Sequence, residues 1–287
     1  MNKRGKKIAL SMLLVLFLLL IFVFSPLYPV AKSYVVMGIY SNIHKSGSFL
    51  EEIGVEIQIP GGLTTWEKDY YPFVITYDSS EDYSKEIKED IDLVIYYNFP
   101  SMDLSYGASV LYREDSPLYC SFYGAYALRY PNEEKIYGLN DAGEADFQAI
   151  MEVTQFDFEE LVLKSVGAIN PSVVYELMPV NRKISFDQKE FLVFDAKLET
   201  EGLWHQVGQE YLAYLQYGKP SPQMGEGASF KRIPMYGRIY MYVDEDKKIS
   251  YFYYILATSL EQVNKVEKDF ILKSKIKDES RSNQGRN

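Results

Sequence analysis

The segment RIYMYVDEDKKISYFYYILA, residues 238–257, decides the fold. Its two ends are dominated by tyrosine and by branched or aliphatic residues, which suit a pleated surface, and the DEDKK between them is a polar run of turn length. The segment therefore reads as a β-hairpin, with strands at Arg238 to Val243 and Ile249 to Ala257 joined by Asp244-Glu245-Asp246-Lys247-Lys248. Side chains alternate along a strand, so Tyr251 and Tyr253 share one face and Tyr254 lies on the other. A helix is expected at once. Thr258 and Ser259 are hydroxyl caps with Glu261 and Gln262 three residues on. Leu260, Val263, Val266, Phe270 and Ile271 form its apolar stripe. Lys268 and Lys273 sit near its C-terminal end, where the helix dipole favours cations.

Working back from the hairpin, Ile184 to Leu198 reads as strand, and Pro220 to Gly227 as loop. Leu203 to Tyr217 fits both periods, and its tyrosines favour strand. Asp157 with Glu160 three residues on forms a capping-box start for a helix that buries Phe158, Leu161 and Val162 and ends at Gly167. Phe147, Ile150 and Met151 suggest another short helix before it. Leu118 to Tyr130, Val110 to Arg113, Ile91 to Phe99, Tyr70 to Tyr77 and the alternating Val55, Ile57 and Ile59 are strand candidates separated by short turn-rich stretches. The expected fold class is α+β: a single antiparallel sheet-rich domain over residues 53–273, with a C-terminal helix packed on the sheet. Residues 33–52 are expected to be a membrane-proximal tether or short helix, and residues 274–287 a disordered polar tail.

The N-terminus has a different character. Ile8 to Phe24 is a run of 17 residues, apolar except for Ser11, preceded by Lys3, Arg4, Lys6 and Lys7 and followed by Pro26 and Pro29. As a helix it spans about 26 Å, the short end of what crosses a bilayer. The basic flank stays cytoplasmic, which sends the rest of the chain across. Residues 1–32 thus read as a signal anchor of a single-pass protein. The alternative is secretion after cleavage near Ser33, where Ala31 and Ser33 supply small residues.

The first 32 residues carry five basic residues and no acid, so the remaining 25 basic residues face all 40 acidic ones, a balance of −15. Such a body is repelled by nucleic acid and by anionic lipid, so no nucleic-acid partner is expected. The expected partners are the membrane, through the N-terminal helix, and a protein or glycan at the cell surface. The single cysteine, Cys120, excludes an intramolecular disulfide and sits in an apolar stretch, as an inert buried thiol does.

No chemistry concentrates anywhere in the sequence. His44 and His205 are the two histidines, neither lies near a G-x-S-x-G elbow, and two histidines with one distant cysteine do not make a zinc site. Asn140, Asp141, Glu144 and Asp146, and separately Asp244, Glu245 and Asp246, are oxygen-rich but lack calcium-loop spacing and read as solvated turns. Phosphate-binding loops are missing. No catalytic, cofactor-binding or metal residue is therefore nominated, and no cofactor. The 26 tyrosines fill sheet faces, with some rings expected at the surface among Tyr119, Tyr123, Tyr126 and Tyr130 and among Tyr251, Tyr253 and Tyr254. The expected function is that of a membrane-anchored, extracytoplasmic, non-catalytic binding or assembly module. The alternative is an exported carboxylate-dependent hydrolase acting on a cell-surface polymer.

Overall fold

A computed structural model describes residues 3–25, 27–61, 69–71, 73–103, 108–132, 134–164, 172–178, 182–202 and 231–278. In chain order the elements are α1 (Lys3–Phe24), α2 (Leu27–Ser46), α3 (Phe49–Glu52), β1 (Val55–Gln58), β2 (Ile75–Asp78), α4 (Ser80–Ile87), β3 (Asp92–Asn98), β4 (Met102–Asp103), β5 (Ala108–Ser109) and β6 (Phe122–Arg129). There follow α5 (Phe147–Phe156), which runs on into a π-turn at Asp157–Leu163, then β7 (Val173–Leu177), β8 (Arg182–Phe186), β9 (Lys189–Glu201), β10 (Arg232–Asp244), β11 (Ile249–Ala257), α6 (Leu260–Asp269) and β12 (Lys275–Asp278). The protein is a mixed α+β fold with an antiparallel sheet-rich domain and an N-terminal apolar helix.

The main sheet has the order β2-β3-β6-β11-β10-β9-β7, and β8 pairs with β9 beside β7. Two meanders, β2-β3-β6 and β9-β10-β11, are joined where β6 meets β11 from Ser250↔Leu128 to Leu256↔Phe122. The deciding hairpin lies at the centre, in the register Asp244↔Ile249 to Tyr236↔Ala257. Both faces of the sheet are covered. Phe252, Tyr254 and Leu256 join a core shared with Ile150, Val153 and Phe158 of the α5 segment. Tyr251, Tyr253 and Ile255 join a second core shared with Val263, Val266 and Phe270, and with Ile57 and Ile276 of the small β1–β12 sheet. The alternation expected for Tyr251, Tyr253 and Tyr254 holds, but no ring of that group reaches the surface. Tyr119, Tyr123 and Tyr126 are buried as well. A strand covered on both faces reads as a continuous apolar run, and tyrosine fills that role here. Gly124 belongs to this packing: a Cβ there would sit 1.8 Å from the Tyr96 carbonyl oxygen, and Tyr254 faces it across the strand pair.

Several expectations change. The segment read as a tether or short helix is helical: α2 and α3 bury Ser33, Met37, Ser41, Phe49 and Leu50. The tail does not start at Ser274, which is buried, because β12 pairs with β1 from Val55↔Asp278 to Gln58↔Lys275. Residues 279–287 lie outside the described residues. Val110–Tyr112 is a 3-10 turn, not a strand, capped by the Ser109 hydroxyl accepting from the Leu111 amide. The strand expected at Tyr70 to Tyr77 begins at Ile75. Ile184 to Leu198 is two strands, turned at Asp187 and Gln188 with φ of 50° and 58°, the left-handed pair that a two-residue hairpin needs. Asp157 does not start a helix. The N-cap is Asp146, which accepts from the Gln148 and Ala149 amides, and Asp157 lies inside the continuing helical segment. Leu203 to Tyr217, His205, Gly167 and the Pro220 to Gly227 loop lie outside the described residues.

Candidate functional site

The edge strand β2 presents backbone groups that a sheet would ordinarily leave open, and α2 closes them with side chains. The Ser41 hydroxyl accepts from the Thr76 amide at 2.9 Å and donates to the Val74 carbonyl at 3.1 Å. One turn on, Nδ1 of His44 accepts from the Asp78 amide at 3.1 Å. Burial lowers the His44 pKa, partly opposed by the nearby Asp78 carboxylate, which keeps the ring neutral and able to accept. Nearer the start of α2, the Ser33 and Tyr71 hydroxyls share a hydrogen bond of 2.6 Å. The polar face of α2 thus acts in place of a further strand.

Between α2, β1 and the β2 edge of the sheet lies an open cleft of about 740 Å³. That volume falls within the range of small-ligand and peptide sites. One wall is α2, with Gly38, Ser41, Asn42 and Lys45. The other is the run of residues 56–61. Phe73, Val74, Thr76 and Tyr96 form the floor, and Lys273 and Lys275 stand at the rim. The walls are latched at one place: Lys45 donates to Glu56 at 2.7 Å, and Gln58 donates to the other Glu56 oxygen at 2.8 Å. The Lys45 bond, ahead of all other causes, holds the Glu56 carboxyl below its usual pKa.

On the opposite face a carboxylate is enclosed within the core. Asp157 is 1% exposed and is flanked by buried Phe156 and Phe158. It accepts from the Tyr126 hydroxyl at 2.6 Å and from the Tyr97 hydroxyl through its other oxygen. Tyr254 stacks on Tyr126 with ring centres 4.5 Å apart. Burial pushes the Asp157 pKa up to about 7, against the lowering effect of the two phenols. The looser π winding lets consecutive residues face the sheet, and such turns often occur at functional positions. The arrangement fixes the helix to the sheet; it has no opening to solvent among the described residues.

The residues weighed from the sequence are dispersed. Asn140 accepts from the Ala142 and Glu144 amides and Asp146 caps α5, so their oxygens serve the turn itself. Asp141 and Glu144 are exposed. Asp244 accepts from the Lys247 amide in its own turn. Cys120 is buried and forms no disulfide. Among the described residues no three His, Cys, Asp or Glu side chains come together to hold a metal. The nearest approach to a carboxylate cleft is a hollow of about 370 Å³ between α4 and α5, lined by Glu86, Glu152, Glu159 and Glu160. Three of these are engaged: Glu152 with Gln148, Glu159 with the Val173 amide and Gln155, and Glu160 with Lys164.

Nothing in the sequence marks the cleft, and Asp157 stands out there only as a helix-cap candidate. The cleft joins residues as far apart in the sequence as Gly38 and Lys275, so no local motif spans it. Comparison with protein-family models, with curated proteins and with solved structures finds no match to this chain.

Proposed function

We propose that this protein is a single-pass membrane protein whose extracytoplasmic domain is a non-catalytic binding or assembly module, with the α2–β1–β2 cleft as its ligand site. The cleft carries the reading: it combines an apolar floor with a few polar groups at the walls, as recognition sites do. α1 supports the anchor, since Gly5–Phe24 is apolar and long enough to cross a bilayer and none of it is buried. The basic residues before it support a cytoplasmic N-terminus. Retention of the anchor is supported by α2: cleavage after Ser33 would cut a helix at a buried residue hydrogen-bonded to Tyr71. Intact mass is expected to show Ile8 to Phe24 present, and a chain beginning at Tyr34 would refute the anchor.

Site-specific photo-crosslinking in intact membranes tests the binding role. A photoreactive residue at Asn42 or Gln58, in the cleft, is expected to capture a discrete partner. The same probe at Glu245, exposed on the β10–β11 turn, is expected to capture none. Equal capture at the three positions, or a hydrolytic activity on a cell-surface polymer lost on substituting Glu152 and Glu159, would reverse the assignment.

A further inference from the structure

We propose that the cleft takes an extended acidic polypeptide segment, bound as an added strand along the outer edge of β1; this rests on the binding role above and specifies the ligand. Strand geometry is the first argument. Among the described residues β1 pairs only with β12, in a two-stranded sheet, and residues 56–61 line the cleft along their length. The edge of β1 away from β12 therefore offers a row of backbone donors and acceptors to the cleft, the arrangement that takes up peptide strands. The facing edge cannot do so, because Ser41 and His44 already occupy the Thr76 and Asp78 amides of β2. The cleft thus has one receptive edge and one sealed edge, which fixes the side on which a strand adds.

Charge is the second argument. The chain as a whole is acidic, at −10, yet the cleft sets Lys45, Lys273 and Lys275 against the single carboxylate Glu56. Lys277, next on the same face of β12, is near enough to help depress the Glu56 pKa. Lys273 and Lys275 are exposed and make no ion pair among the described residues. A local cationic rim on an acidic body selects for acidic ligands and speeds their approach. A carboxylate on the incoming strand can take the place that Glu56 holds on Lys45. An anionic lipid headgroup fits less well: Lys45 lies 18 residues beyond the start of α2, about 27 Å along the helix from its junction with α1.

The test uses the full-length protein in detergent micelles and a fluorescein-labelled peptide of alternating glutamate and valine. Saturable binding by anisotropy is expected, weakened about tenfold by the double substitution Lys273→Glu, Lys275→Glu and by raised salt. N-methylation of alternate peptide amides, which keeps the charge and removes strand donors, is expected to abolish it. Three results would overturn the proposal. These are equal affinity for a lysine–valine peptide, indifference to both charge reversal and N-methylation, and saturable binding of short-chain phosphatidylglycerol at the cleft with no binding of the peptide. If the peptide fails while cleft crosslinks persist in membranes, the binding role stands and the acidic-strand ligand falls. If cleft crosslinks are missing as well, both fall.

Discussion

Replacing Asp157 by asparagine is expected to stabilise the protein at neutral and alkaline pH. The carboxyl of Asp157 is wholly buried and its pKa is raised from 3.8 to about 7. The displacement of about three pH units, at about 1.4 kcal/mol per unit, amounts to about 4 kcal/mol. In an acid raised in this way, the folded state holds a proton that the unfolded state has lost between pH 4 and 7, so stability falls as pH rises through that window and levels off above it. Asparagine has nearly the same shape, can still accept from Tyr97 and stays neutral throughout. The difference in unfolding free energy, variant minus parent, should therefore rise by about 4 kcal/mol between pH 4 and pH 8. Taking the difference cancels the titration of every other group. Urea denaturation of the detergent-solubilised protein, followed by near-ultraviolet circular dichroism at four pH values, measures it. A difference that does not change with pH would show that Asp157 is ionised without penalty and would refute the reasoning.

Other substitutions test the remaining supports. Ser41→Ala leaves the buried Thr76 amide without an acceptor, and a loss of about 1–3 kcal/mol is expected in the same denaturation assay. Arg238 is 6% exposed and joins Asp195, Asn264 and Glu267, so Arg238→Leu strands Asp195, leaves Glu267 with Arg182 alone, and should cost about 3–5 kcal/mol by urea titration. Tyr253→Phe removes a buried hydroxyl with no hydrogen-bond partner, and thermal unfolding should show no loss or a gain. Tyr126→Phe removes a donor to Asp157 and should destabilise, so the two tyrosine variants are expected to shift the melting temperature in opposite senses or by clearly different amounts.

The hairpin of residues 238–257 and its following helix were legible because local rules agree there: strand-forming runs, a polar turn and the Ser259 cap, whose hydroxyl accepts from the Gln262 amide at 3.2 Å. Legibility failed where tertiary contacts set the local choice. α2 turns Ser33, Met37 and Ser41 inward and leaves Val35, Ile39 and Ile43 exposed, the reverse of an ordinary amphipathic helix. Its buried face serves hydrogen bonds to a strand edge, and no periodicity of apolar residues reports that. Asp157-x-x-Glu160 imitates a capping box, yet the true cap is Asp146 one helix earlier. The Asp187-Gln188 turn lacks the glycine that marks most hairpins. The tyrosines misled in another way: rings expected to reach the surface are enclosed by the α5 segment on one face and by α6 and the β1–β12 sheet on the other. Of the cleft, β1 and the β3 strand that carries Tyr96 were read as strands; β2 was begun too early at Tyr70, α2 was read as a tether or short helix, and Lys275 fell in the segment taken for a tail.

α2 seals β2, forms one wall of the cleft and continues from the apolar helix α1, so the cleft exists only if α2 is part of the folded domain. Hydrogen exchange of the full chain in lipid nanodiscs, read by mass spectrometry over residues 33–46, tests this directly. Protection approaching that of β6 and β11 is expected, with loss of protection in Ser41→Ala beginning at β2. Exchange of residues 33–46 at the rate of an unstructured chain would make the segment a tether after all and remove the cleft wall on which the proposed function stands.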